Sequence, residues 1–412
     1  MFAFDYTTII ISVVLLLIAL LTSLINPFFR KVRIAEYGVP TSATESEETI
    51  DEEEPAEEEV VAIAESIVSD EQQPNLPPIT IILTPHDNAQ ELAKNLPLYL
   101  NQDYPTDFQV IVVAPQNDHE TGDVLKRFAA NPHLYSTFIP ESSRYMSKKK
   151  LAITLGVKAA KYDWVIMADI NCYPTNDNWL QAIARNCKED KELVVGYTRY
   201  EEETPAYRQF ERHYIARYIM REYQRNKAYA CPFNALAFRK ATFLREEGFR
   251  GNLKYIRGEY DFMVNKYARA GKLVMENAPE GTLIEETPTE KSWTGSHLFY
   301  MENRRHLAHT ARHRLLPFLD QAALHGNYLL QSTALTAAML LGRWTVTAAA
   351  GLALILTLVL RLLIGRKALE RFDVGIPAWK VLPYEIAIAW HYLGYRIQYR
   401  RADKYDFISH KL

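Results

Sequence analysis

The sequence predicts an α/β domain with a mostly parallel central sheet, carried between membrane helices near the two ends of the chain. Two observations carry this. Short apolar runs alternate with helical patterns over about 120 residues, which is how parallel sheets with right-handed crossovers are built. Long apolar segments with at most one charge lie near both ends, and each of the longest is about the length a bilayer requires.

Composition narrows the class. The 412 residues exceed what one core usually needs, so one large domain with appendages is expected. Cys172, Cys187 and Cys231 show no paired spacing. That argues against a disulfide framework or a cysteine zinc site and suits a reducing compartment. The net charge of −3 hides an asymmetry: residues 45–71 hold thirteen acids and no Lys or Arg, leaving about +10 (−3 plus 13) for the rest.

Thr8 to Ile25 is broken only by Ser and Thr and reads as a membrane anchor within residues 1–30. No Lys or Arg precedes it and no small-residue cleavage site follows, which disfavours a signal peptide. Arg30-Lys31-Val32-Arg33 then places the N-terminus outside and the rest inside, since cationic flanks stay cytoplasmic. Residues 31–78 are expected to be a linker. From residue 41 it is acidic, proline-bearing and without aromatics, too polar to bury a core. Val60 to Val68 is a candidate transient helix there.

From Ile79 the pattern changes. Ile79–Thr84, Phe108–Val113, Trp164–Ala168, Leu193–Tyr197 and Ala235–Phe238 read as strands. Asn88–Leu100, Thr121–Ala130, Lys149–Ala160 and Asn178–Asn186 read as helices, the first expected to kink or end early at Pro97. The first turn, Pro85-His86-Asp87-Asn88, has no glycine-rich fingerprint, which argues against dinucleotide binding. Asp169 and Asn171 follow the Trp164–Ala168 strand directly. Ligands in open α/β sheets sit beyond such strand ends, where a carboxylate can hold a cation against a phosphate. Pro205–Arg225 is a long Tyr- and Arg-rich helix suited to covering an active site, lying on the membrane or packing on the sheet. Gly258-Glu259-Tyr260-Asp261 opens a further helix.

Near the C-terminus, Tyr328–Leu341 and Trp344–Ile364 are joined only by Gly342-Arg343. A hairpin or re-entrant pair over 326–366 returns the basic, aromatic tail, 367–412, to the cytoplasmic leaflet. Arg361 is expected to snorkel to the interface.

Taken together, residues 79–306 resemble a family-2 glycosyltransferase with the A-type nucleotide-diphospho-sugar fold, closest to membrane-anchored members typical of Bacteroidetes. The residues that carry the likeness occur in the family's order. They are Ile81–Asn88, Asn101-Gln102-Asp103-Tyr104-Pro105, Lys149–Gly156, Asp169-Ile170-Asn171, Phe238-Arg239-Lys240, Gly258–Asp261 and Glu302–His306. The resemblance implies a catalytic domain over 79–318 that takes sugar from a nucleotide-diphospho-sugar, usually with inversion. It implies a Mg²⁺ or Mn²⁺ ion on Asp169 and Asn171, and Glu259 as base with Asp261 as runner-up. Thr84, His86, Asp87, Lys149, Asp169, Arg304, Arg305 and His306 are the implied donor-binding residues. The expected acceptor is an envelope or lipid-linked glycan at the inner membrane, in polysaccharide biosynthesis, with no nucleic-acid partner.

The departures are specific. Ala114-Pro115-Gln116-Asn117 stands where the family has its base-reading acid, with Asp118 one step late. Asn171 replaces the second acid of Asp-x-Asp, Gly258 replaces an acid, and Glu302 and His306 replace the outer residues of Gln-x-x-Arg-Trp. A non-catalytic relative that binds a nucleotide sugar or scaffolds a partner enzyme is the alternative these departures favour.

Overall fold

The computed structural model describes residues 5–34, 76–140 and 147–408. The acidic stretch and the expected Val60–Val68 helix lie outside them.

A seven-stranded sheet forms the centre of the domain that follows residue 76. In chain order its strands are β1 (Ile79–Leu83), β2 (Phe108–Pro115), β3 (Leu134–Ile139), β4 (Trp164–Ala168), β6 (Leu193–Gly196), β8 (Ala235–Arg239) and β9 (Leu273–Glu276). The spatial order is β3-β2-β1-β4-β8-β6-β9. All neighbours are parallel except β8, which runs antiparallel between β4 and β6. A small second sheet, β5 (Cys172–Pro174), β10 (Leu283–Glu285) and β7 (Thr198–Tyr200), sits beside the carboxyl end of β4.

Both faces of the main sheet are covered, which is why its central strands are apolar throughout. One face buries Ile82, Ile111, Val165 and Met167; the other buries Ile79, Ile81, Val110 and Ile166. Helices α1 (Tyr6–Ile25), α2 (Ala89–Leu100), α3 (His119–Arg127), α4 (Lys148–Ala159) and α5 (Trp179–Ala184) come first. Then follow α6 (Ala206–Gln224), α7 (Lys240–Arg245), α8 (Glu259–Tyr267) and α9 (Glu290–Asn303). Helix α4 lies close on β1 because Gly156 has no side chain: a Cβ there would stand 2.8 Å from Ile82 Cγ2. Pro97 does not end α2, which continues to Leu100. Helix α6 buries Ala216, Met220 and Tyr223 in the sheet's core and packs Phe210 and Tyr214 around Phe28 of the N-terminal segment.

Three helices complete the chain: α10 (Thr310–Leu340), α11 (Trp344–Glu370) and α12 (Val381–Arg401). Two helices, Tyr6–Ile25 and Trp344–Glu370, are long and apolar enough to cross a membrane. They pack with α10 through Leu15, Ala19, Ala338, Ala350 and Ala353. Gln331 of α10 donates to the Leu15 carbonyl, and Arg361 of α11 to that of Thr22. The hairpin of α10 and α11 therefore turns at the same end of the bundle as the N-terminus.

One expectation is corrected. Arg361 does not snorkel: it is fully buried, 3.0 Å from Glu385 and 3.4 Å from Asp320. Asn26 donates to Glu385 and the Tyr214 hydroxyl to Asp320, so each of the two carboxylates that share Arg361 has a second donor. In the C-terminal segment the Tyr395 hydroxyl accepts from Trp293 Nε1 at 2.8 Å and the Phe407 carbonyl from Ile256 N at 3.1 Å, clasping this segment onto the sheet-bearing domain. The start of the linker is also docked: Val32 is buried in the core, and the carbonyls of Arg30 and Arg33 accept from Arg217, Gln224 and Asn277.

Candidate active site

A cleft of about 1330 Å³ opens at the carboxyl ends of the parallel strands. Residues at or just beyond four strand ends line it: Thr84 after β1, Pro115 of β2, Ile139 of β3 and Asp169 after β4. Helices α4, α6, α8 and α9, the small second sheet and the loops before β8 and α8 supply the remaining wall.

Lys149 on the first turn of α4 is the electrostatic centre. Its ammonium lies 2.5 Å from Asp169 Oδ2 and 3.0 Å from Glu259 Oε1. Burial alone would lower the Lys149 pKa, but Asp169 and Glu259 outweigh it and raise it above the usual lysine range. Burial likewise opposes ionisation of Asp169, and Lys149 outweighs it, holding this carboxyl below its usual value. Glu259 is 5 % exposed and its Oε2 has no hydrogen-bond partner among the described residues. Asp261, two residues on, accepts from Cys231 N at 2.9 Å. Burial, reinforced by Glu259, pushes its carboxyl up to about 7.

The backbone that presents Glu259 is constrained. Gly258 adopts φ 93°, and a Cβ there would meet Asn303 Nδ2 at 2.3 Å. A side chain, acid or otherwise, is excluded because Asn303 fills that space. Below it, buried Lys150 donates to the carbonyls of Asn252 and Tyr255, and Ser147 Oγ to that of Ile256, fixing the loop that leads into α8.

Residues 58–377 match the sequence profile of glycosyl transferase family 21. The chain belongs to that family. The observed architecture is the A-type-like mixed α/β fold expected of such an enzyme. A mannosyltransferase from Pyrobaculum calidifontis, solved with GDP-Man and Mn²⁺, aligns at 17 % identity and TM-score 0.45, over 73 % of this chain and 93 % of that one. TarS from S. aureus aligns at 12 % identity and TM-score 0.37, over 58 % of this chain and 42 % of TarS. No curated protein sequence matches.

In this family 21 glycosyltransferase, Thr84, His86, Lys149, Asp169, Asn171, Glu259 and Asp261 line one cleft. Four of the expected donor-site residues do not. Asp87 points to solvent, with a side chain 86 % exposed, in a left-handed turn. Arg304, Arg305 and His306 follow the last turn of α9 away from the cleft. Arg304 sits over the rings of Tyr300 and Tyr392, and Arg305 donates to the Tyr399 hydroxyl. His306 stacks on Tyr255 and lies 3.1 Å from Glu302. The tyrosines of α12 and the Glu302 carboxylate draw this basic run outward.

Asp118 caps α3, accepting from Thr121 N and Oγ1, and reaches Asp87 N at 3.4 Å. Burial raises its pKa, but the Thr121 hydrogen bonds prevail and hold it below the usual range. It stands beside the His86 turn but does not line the cleft.

Sequence reasoning missed Arg212, Asn234, Arg257 and Glu285, all on the cleft wall. Arg212 lies 2.9 Å from Glu285, and Asn234 Nδ2 donates to the same carboxylate at 2.8 Å. Burial raises the Glu285 carboxyl, Arg212 counters this, and Asp169 adds to the rise. These residues belong to short strands, irregular segments and a helix whose function-bearing face carries no motif.

Among the described residues no three His, Cys, Asp or Glu side chains are grouped to hold a metal. Asp169 Oδ1 accepts from Asn171 N, and Asn171 Oδ1 accepts from Asn88. One carboxylate and one carboxamide suit an ion that brings its other ligands with a diphosphate, since Mg²⁺ sites often use one or two carboxylates plus phosphate oxygens and waters.

Proposed function

We propose that this chain is a membrane-bound glycosyltransferase that moves a sugar from a nucleotide-diphospho-sugar to a hydroxyl of an envelope or lipid-linked glycan, with inversion. The observation that carries this is the Lys149 bridge between Asp169 and Glu259, with the second Glu259 oxygen buried and unpartnered in the same cleft. Glu259 Oε2 takes the proton of the acceptor hydroxyl as the hydroxyl's own oxygen bonds to the anomeric carbon. The bond from that carbon to the diphosphate breaks on the opposite face, and the diphosphate leaves with the electron pair. Lys149 and Arg257, both on the cleft wall, meet the charge it gains. Asp169 and Asn171 would hold a Mg²⁺ or Mn²⁺ ion, which neutralises charge on the leaving group when bound. Thr84 and His86, after β1, face the nucleotide. Asp261, in the same cleft, is the runner-up for the base.

Topology supports a site on the cytoplasmic side of the inner membrane. Arg30, Lys31 and Arg33 follow the first apolar helix, and the hairpin returns the catalytic domain's C-terminal clasp to the same side. In this arrangement residues 1–30 anchor the chain, 31–78 link, 79–318 catalyse, 326–366 form the membrane hairpin and 367–412 close back on the domain.

The test is nucleoside-diphosphate binding and nucleotide-sugar turnover across a donor panel, with and without Mn²⁺. Asp169→Ala should weaken nucleotide binding roughly tenfold, as loss of a charged contact does, and abolish any stimulation by Mn²⁺. Binding without turnover of any donor would favour the non-catalytic alternative, to which Asn171 in the metal position points. No nucleotide binding would overturn both.

A further inference from the structure

A cluster of arginines lies outside the cleft, where both membrane-length helices end. Helix α1 stops at Ile25 and α11 at Glu370, and the chain leaving each one soon carries an arginine, Arg30 and Arg371. Phe28 and Leu369 hold these two exits together against Tyr214 and Tyr218 of α6. Arg217, Arg221 and the C-cap residue Arg225 follow on α6 at four-residue spacing, which puts them on one face.

Arg217 is the unusual member. It is 3 % exposed, and its Nη2 donates to the Arg30 carbonyl at 2.5 Å, while Nε and Nη1 have no hydrogen-bond partner among the described residues. Its guanidinium lies 5.6 Å from the ring centre of Phe372, and no carboxylate among the described residues pairs with it. Burial and then Arg371 push its pKa down to about 10, against an opposing effect of Tyr197. Arg221 is lowered too, by burial first and then by Arg30 and Arg225. Cations from three segments thus repel one another at close range. Such an arrangement is costly unless an anion joins it.

The nearby acids of the described residues do not supply that anion. Glu222 lies 2.5 Å from His313 and Glu370 2.6 Å from Arg366. Asp373, in a left-handed turn at φ 51°, pairs with none of the cluster. Position restricts the ligand further. Two spans end here, so the cluster sits at the surface of a leaflet. Phe29 and Trp379, 48 % and 67 % exposed, lie beside it, as aromatic side chains do at headgroup level. A lipid phosphate meets the exposed guanidiniums of Arg30 and Arg371 and the half-buried one of Arg221, and Arg217 adds its charge from beneath. A choline or ethanolamine headgroup would bring a further cation to a cluster that is already cationic, so a lipid of net negative charge is favoured.

We propose that Arg30, Arg217, Arg221 and Arg371 form a binding site for the phosphate of an anionic phospholipid, at the junction of α6 with the ends of the two membrane helices. This rests on the membrane-bound reading and is independent of the transfer chemistry.

The test uses the full chain in phosphatidylcholine nanodiscs. The probe is a minor fraction of phosphatidylglycerol bearing a photoactivated diazirine close to its headgroup, with the cross-linked residues mapped by mass spectrometry. Labelling should fall within residues 26–34, 214–225 or 366–381, and phosphatidylcholine with the same diazirine should label these far less. Arg221→Gln combined with Arg371→Gln, both away from the packed core, should lower phosphatidylglycerol labelling about tenfold, the order expected for two cations lost beside a lipid phosphate. Arg400→Gln combined with Arg401→Gln removes the same charge from the end of α12 and should leave this labelling unchanged. Excess inorganic phosphate should not compete. Equal labelling by the two lipids, labelling insensitive to the Arg221 and Arg371 substitutions, an equal loss in the α12 control, or competition by inorganic phosphate overturns the proposal. A chain that does not enter nanodiscs at all removes the membrane-bound reading and the proposal with it. A chain that enters them and shows no lipid preference removes the proposal alone.

Discussion

At the residue scale, the site is a balance of charges in which each group is set by its neighbours. Asp261 shows this most clearly. Its carboxyl is raised to about 7 from an ordinary value of 3.8, first by burial and then by Glu259. A raised acid binds its proton more tightly folded than unfolded. It therefore costs nothing below about pH 4, and its cost grows as pH rises through 7. Thermal unfolding of Asp261→Asn, which keeps an oxygen for Cys231 N, should show a flatter decline in Tm between pH 5 and pH 8 than the wild type. An identical decline in both would remove Asp261 as the source. Gly258 makes a related point. Its departure from an acid looked like lost chemistry in the sequence, but the space its side chain would occupy belongs to Asn303. Steric exclusion by a residue 45 positions away leaves no local trace in the chain.

At the scale of elements, what the sequence disclosed followed from burial. β1, β2, β4 and β6 were legible because both faces are covered and their runs are apolar. β3 was not: it is the sheet edge, and Tyr135, Ser136 and Phe138 are exposed. β8 was legible as a strand but not in direction, since antiparallel insertion between β4 and β6 depends on where α6 returns the chain. Asp169, Lys149 and Glu259 could be named from motif order. The Arg304–His306 run could not be placed, because its partners are tyrosines on α12, about 90 residues on, in a helix hidden within a basic tail. Arg361 is a similar case. Read alone, it is a charge near a membrane helix end, yet Asp320 and Glu385 come from helices on either side in sequence. Arg361→Ala would leave two buried carboxylates unpaired, a loss of about 3–5 kcal/mol for breaking such a pair. The expected result is a large drop in unfolding temperature in nanodiscs, partly rescued by adding Asp320→Asn and Glu385→Gln. An unchanged midpoint would mean that this cluster does not join the bundle.

For the whole molecule, α6 is the element that unites the parts. One side lines the cleft with Glu211 and Arg212, another enters the sheet's core, and a third holds Phe28 and the carbonyl of Arg30 from the N-terminal segment. The C-terminal clasp presses on α9 from the other side. Anchor, hairpin and clasp thus converge on two helices that line the cleft. If Glu259 is the base of a transfer reaction rather than the acid of an ion pair, single-turnover transfer from a bound nucleotide sugar falls about 100-fold or more in Glu259→Gln, the usual range for a general base, with nucleoside-diphosphate affinity unchanged. A Glu259→Gln enzyme that transfers at the wild-type rate would contradict that role.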